Sequence, residues 1–103
     1  MPAFLTKKQV YAWIATGEKT IEVRKGAARD GDQIAFLNGR GESVKGRILL
    51  KREGTLPEVL NTDTYRKIVP TAKSLEEALA FVKRIYPLTD GTFTTYEFQL
   101  DKH

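Results

Sequence analysis

Apolar and polar positions along the chain switch period several times, and each switch marks an element. Val10, Trp13 and Ile14 recur at helical spacing behind Thr6-Lys7-Lys8-Gln9, which reads as a capping box, and Gly17 supplies a stop. This predicts a helix over residues 6–16. Ile21 and Val23 then alternate with Thr20, Glu22 and Arg24, the period-two pattern of a half-buried strand. Asp30-Gly31 signals a turn before the short apolar strand Ile34-Ala35-Phe36-Leu37. Asn38-Gly39-Arg40-Gly41 closes a hairpin into a long strand over residues 43–52. There Val44, Ile48 and Leu50 are expected on one face, and Ser43, Lys45, Arg47 and Lys51 on the other, with Leu49 among them.

The pattern turns helical again at Thr55-Leu56-Pro57-Glu58, a capping box with proline in the first turn. Ser74-Leu75-Glu76-Glu77 opens a longer helix whose stripe is Leu75, Leu79, Val82, Ile85 and Tyr86, ended by Pro87. A last strand covers residues 92–100, with Tyr96, Phe98 and Leu100 in phase and Phe93 opposite. Connections between residues 20 and 52 are too short for crossover helices, which excludes a parallel nucleotide-binding sheet. The expectation is an α+β protein, a small β-barrel of about five to six strands flanked by two to three helices.

The chain of 103 residues allows one domain over residues 1–103. With no cysteine, disulfides and thiolate chemistry are excluded, and no apolar run reaches the 18 residues of a membrane span. A soluble, cytoplasmic monomer is expected, with no membrane partner. No cluster of His, Cys or carboxylates suggests a metal, no cofactor is implied, and there is no Ser-His pair for nucleophilic catalysis. The lone His103 reads as a frayed end. Seventeen Lys and Arg against thirteen Asp and Glu give a net charge of +4, which fits either an anionic partner or an ordinary soluble surface; placement decides between them.

The densest chemistry lies in Gly17-Glu18-Lys19-Thr20-Ile21-Glu22-Val23-Arg24. A glycine turn directs Lys19 above the strand, and Glu22 and Arg24, two apart, leave the same face. They form either an ion pair on a solvated sheet, worth about 0–1 kcal/mol, or one wall of a cleft. Lys45, Arg47 and Lys51 read as a solvated face or a track for a nucleic-acid backbone. Tyr65 and Arg66 combine a ring with a charge, as base-stacking sites do, and Tyr65 fits equally well as packing at a helix end. Trp13 and Tyr86 belong to core stripes.

The string Gly17-x-Lys19-x-x-Glu22-x-Arg24 resembles the signature of ASCH domains, named for activating signal cointegrator homology. The resemblance continues in order through Gly31-Asp32, Tyr65-Arg66-Lys67-Ile68, Pro70, Ser74-Leu75-Glu76-Glu77 and Ile85-Tyr86-Pro87, as in the small stand-alone prokaryotic type. It implies a PUA-like barrel with a cleft at the signature loop, in a superfamily associated with RNA binding. Some small members remove the acetyl group of N4-acetylcytidine, and others are linked to RNA cleavage. The amidohydrolase set is a lysine, a threonine three residues on, and a glutamate before the late helix. Lys19 matches the lysine; Glu22 stands at the threonine's place, and Thr71 at the glutamate's when the late blocks are aligned without gaps.

The expected function is therefore binding of RNA, a nucleoside or a nucleotide, with Gly17, Lys19, Thr20, Arg24, Lys45, Arg47, Lys51, Tyr65 and Arg66 as contacts. The alternative is a hydrolase, an amidohydrolase or ribonuclease, with Lys19, Glu22 and Thr71 as its catalytic set. In that alternative Glu22 is the base, Lys19 stabilises the developing negative charge, and Arg24 holds Glu22 or meets a phosphate; or a buried Lys19, its pKa lowered, is itself the base.

Overall fold

The computed structural model describes residues 1–101, so His103 lies outside the described residues. In chain order the elements are β1 (Ala3–Leu5), α1 (Lys8–Ala15), β2 (Ile21–Lys25), β3 (Gln33–Leu37), β4 (Ser43–Gly54), α2 (Leu56–Val59), α3 (Tyr65–Ile68), α4 (Leu75–Ile85) and β5 (Phe93–Leu100). The strands form one sheet in the order β1-β3-β4-β5-β2, curled into a half-barrel. β1 pairs parallel with β3, and every other pairing is antiparallel. No helix among the described residues is long and apolar enough to cross a membrane.

β1 is the element that periodicity does not reveal, because three residues are too few to show a period. It forms around Phe4, which is buried between exposed Ala3 and Leu5. The ladder continues past its end: the Thr6 N–H and hydroxyl both donate to the Leu37 carbonyl, at 2.8 and 3.1 Å. That use of Thr6 overturns the expected capping box. The N-cap is Lys7, one residue later than the capping box implies, and it makes no side-chain cap bond. The apolar face is as expected, with Val10, Trp13 and Ile14 buried.

Strand β4 departs from its expected two-face pattern at a single point. The register with β5 shifts between Ile48 and Leu50, leaving Leu49 as the extra residue of a bulge. Alternation reverses there, so Lys51 pairs with Tyr96 on the Ile48 face, and Leu50 and Arg52 continue the face of Lys45 and Arg47. Leu50 is accordingly exposed rather than core. Further back, Gly46 lies so close to β5 that an added Cβ would stand 2.3 Å from the Gln99 carbonyl oxygen. Only glycine permits that approach.

One face of the sheet carries an aromatic stack. Phe4 meets Tyr96 at 5.3 Å between ring centroids, and Phe36 meets Phe98 at 4.8 Å. On the other face Phe93 meets Tyr86 edge-on at 5.7 Å. Helix α4 is capped by the Ser74 hydroxyl, which accepts from the Glu77 N–H. Its buried positions are Ala78 and Val82, with Leu75, Leu79, Phe81 and Tyr86 packed against the core. Ile85, expected in the stripe, stays 38% exposed. β5 is buried on both sides through most of its length.

Candidate functional site

The loop between α1 and β2 is fixed by backbone bonds on three sides. Gly17 takes the left-handed φ of 85° that ends the helix and turns the chain. The Lys19 N–H then donates to the Trp13 carbonyl, and the Thr20 N–H donates to the Lys67 carbonyl of α3. The Thr20 carbonyl accepts from the Phe98 N–H of β5. Held this way, the loop has no freedom to turn Lys19 outward. Its side chain runs inward, only 3% exposed, and Nζ donates to the Ile68 carbonyl at 2.7 Å.

Lys19, Glu22 and Arg24 form a linear triad. Lys19 Nζ lies 3.4 Å from Glu22 Oε1, and Arg24 donates to Glu22 Oε2 at 3.0 Å. Glu22 Oε1 also accepts from the Val23 N–H, so both carboxylate oxygens are engaged. The face of β2 that carries Glu22 is therefore buried, and the solvated-sheet reading of this pair does not hold. Burial lowers the Lys19 pKa from its usual value, the neighbouring Glu22 charge opposes the shift, and the Arg24 charge adds slightly to it.

Arg24 has a further structural part. The sheet is a half-barrel whose outermost strands are β1 and β2, and the guanidinium spans the gap between them. It donates to the Leu5 carbonyl of β1 at 3.1 Å while bound to Glu22 of β2. Phe4 supports it from below, with the guanidinium carbon 4.5 Å from the ring centroid. Arg29 approaches the same ring at 4.8 Å.

A cavity of about 130 Å³ opens at this seam. Lys19, Glu22 and Arg24 supply its polar side. Val10 of α1, Ile68 of α3, Phe81 and Val82 of α4 and Tyr86 just past its end supply apolar walls. An apolar pocket with a few convergent polar groups is the usual form of a ligand site. Among the described residues no cluster of His, Cys, Asp or Glu is placed to hold a metal ion.

The remaining expected contacts lie elsewhere. Gly17 is exposed at the turn, Thr20 is half-buried, and neither lines the cavity. Thr71 is exposed and also outside it, so the structure does not bring Thr71 to Lys19 and Glu22. Lys45 and Arg47 are exposed on β4, where Arg47 donates to the Gln99 side chain. Lys51, expected beside them, is on the opposite face because of the bulge, and donates to the Arg29 carbonyl at 2.6 Å. Arg66 donates to the Tyr65 hydroxyl and lies over its ring, and neither residue lines the cavity. Sequence reasoning missed Thr6 and Lys7, which line the cavity mouth. Reading Phe4 as one buried position of a short strand was the signal that would have placed them.

No protein-family model matches the chain, and no curated protein matches it in sequence. Solved structures do match in shape. The hypothetical protein PH0355 superposes with a TM-score of 0.75 at 19% identity, covering 96% of this chain and 97% of its own. ASCH from Zymomonas mobilis superposes with a TM-score of 0.68 at 13% identity, covering 94% of this chain. The chain spans 65% of that protein, just under two thirds of its length. Two point variants of the same Zymomonas mobilis protein match equally well. At these identities the likeness concerns architecture, and it agrees with the half-barrel and helices described above: the chain has the PUA-like fold of ASCH domains.

Proposed function

We propose that this protein binds RNA or a nucleotide, taking a base into the cleft beside the signature loop. The observation that carries the reading is the cavity itself, in which a buried Lys19–Glu22–Arg24 triad faces apolar walls. Flat apolar surfaces suit the faces of a base, and a fixed set of donors and acceptors suits its edge. Lys19 retains donor capacity beyond its bond to Ile68, and the partly exposed Arg24 can turn a donor toward a ligand.

The test is equilibrium binding of short mixed-sequence single-stranded RNA across a salt series. Affinity should fall steeply as salt rises. Arg24→Gln should weaken binding about tenfold, the loss of one charge-assisted contact of about 1.4 kcal/mol. Wild-type affinity in a folded Arg24→Gln variant would rule the cleft out.

A second reading is hydrolysis of an acylated nucleoside or of RNA. Its support is a buried lysine with a lowered pKa in contact with a carboxylate, a pairing typical of catalytic clefts. In amide hydrolysis, a base takes a proton from water as the oxygen attacks the carbonyl carbon. The oxyanion is stabilised by a cation, and the amine leaves with a proton. Lys19 suits the cationic part. Glu22 is less suited to the basic one, since three donors already occupy its two oxygens. Any hydroxyl assistance falls to Thr6 or Tyr86, which line the cavity, rather than to Thr71. Binding is therefore the better-supported reading. Release of acetate from N4-acetylcytidine, abolished by Lys19→Met, would reverse that order.

A further inference from the structure

The cavity at the triad is small for the ligand proposed. An engineered cavity of about 150 Å³ in another protein holds one benzene molecule, and this one measures about 130 Å³. It has room for a single ring, not for a base with its sugar. Whatever extends from that ring must leave through the mouth.

A second hollow of about 300 Å³ adjoins the first, and the two share four lining residues: Lys7, Val10, Phe81 and Ile85. The two therefore adjoin across these residues, between α1 and α4. The character changes along the way. The inner part ends at the buried triad, and the outer part adds the exposed Gln9 and Arg84. Lys7 stands at the junction on one bank and Arg84 on the other. Among the described residues neither forms a salt bridge with a carboxylate. The Arg84 guanidinium is steadied over the Phe81 ring at 5.5 Å, which keeps it on the groove.

We propose that the outer groove is a phosphate subsite, so that the ligand is a phosphorylated nucleoside or a nucleotide within RNA rather than a free nucleoside. The inference rests on the cleft reading above and adds the direction of the chain: base inward at Lys19, Glu22 and Arg24, sugar across Val10 and Phe81, phosphate between Lys7 and Arg84. Arg84 offers paired N–H donors for phosphate oxygens and Lys7 a mobile point charge.

The test is calorimetric titration of the full chain with each of the four ribonucleosides, their 3′- and 5′-monophosphates and a mixed-sequence RNA pentamer. It is repeated with a Lys7→Gln, Arg84→Gln double variant. Both side chains are exposed, so the variant should melt as the wild type does. At least one monophosphate, or the pentamer, should bind at least about fivefold tighter than the nucleoside. The double variant should lose that advantage, its affinity for the monophosphate falling to within about twofold of its own affinity for the nucleoside. For the pentamer, the slope of log affinity against log salt should fall by about 1.4, at about 0.7 per single-strand phosphate contact. An advantage confined to the monophosphates assigns the subsite to a terminal phosphate, and one shared by the pentamer assigns it to the RNA backbone. Equal affinity for nucleosides and their phosphates overturns the subsite and leaves the cleft reading standing. An advantage that survives the double variant also overturns it. If nothing binds, the cleft reading fails and the subsite with it.

Discussion

Replacing Glu22 by Gln is the most informative single change, because Glu22 lies between two cations, one of them fully buried. Without its charge, Lys19 keeps only neutral acceptors, the Ile68 carbonyl and the amide oxygen of the new glutamine. If it stays charged, the loss is of the order of 3–5 kcal/mol, the usual result of orphaning one half of a buried pair. If it sheds its proton, the cost is about 1.4 kcal/mol for each pH unit below its unfolded value of about 10.4, or about 4.6 kcal/mol at about pH 7. The second route caps the first. Part of this penalty is already present in the wild type, where burial outweighs Glu22 and lowers the Lys19 pKa. The Arg24 half, 25% exposed, is solvated and adds little. The expected loss is thus about 2–4 kcal/mol, or about 10–25 °C in Tm for a domain of this size.

The sign of the pH dependence follows from the same group. Between its lowered folded value and about 10.4, Lys19 holds more protons unfolded than folded, so its contribution to stability rises with pH. Glu22→Gln lowers the folded value further and widens that window. Urea unfolding from about pH 6 to about pH 10 should therefore show the deficit narrowing as pH rises. The Lys19→Met, Glu22→Gln double variant should recover most of the loss, since an apolar replacement of a buried pair is often neutral or better. A deficit below about 1 kcal/mol, or one that does not change with pH, would refute the account of the triad.

Two further outcomes check the fold that holds this site. Gly46→Ala should cost about 1–3 kcal/mol in urea unfolding, because its Cβ meets the Gln99 carbonyl in a strand that cannot move aside. Little or no loss would mean that β4 and β5 are not so closely apposed. Lys51→Met should lower stability by about 0.5–1.5 kcal/mol through its bond to the Arg29 carbonyl, and should leave RNA affinity unchanged. Weakened RNA binding at unchanged stability would return Lys51 to the role of a backbone contact.

Long, strongly patterned stretches were legible in the sequence. Helix α4 was announced by Ser74 and Pro87, β5 by its alternation, and the hairpin of β3 and β4 by three turn-forming residues among the four of Asn38-Gly39-Arg40-Gly41. The triad was legible as a spacing, but its burial was not. Glu22 and Arg24 alternate with apolar residues as solvent-facing groups do, and only the packing of α3 and α4 over β2 distinguishes a wall from a surface. Two misreadings have local causes. The bulge at Leu49 inserts one residue and reverses every later side chain of β4, which no pattern before it foretells. Thr6 has the composition of a helix cap, yet it is claimed by a parallel ladder with a strand 31 residues distant. Thr71 was placed by alignment of neighbouring blocks rather than by any signal of its own, and it is exposed.

The central claim is that a base enters the cavity between the triad and α4. Amide chemical-shift mapping, with the mixed-sequence RNA pentamer titrated into labelled protein, tests it most directly. The account predicts the largest shifts at Val10, Val23, Arg24, Val69, Phe81 and Val82 around the cavity. Shifts concentrated on Lys45, Arg47 and Arg52 of the exposed β4 face, with the cavity residues unmoved, would contradict it.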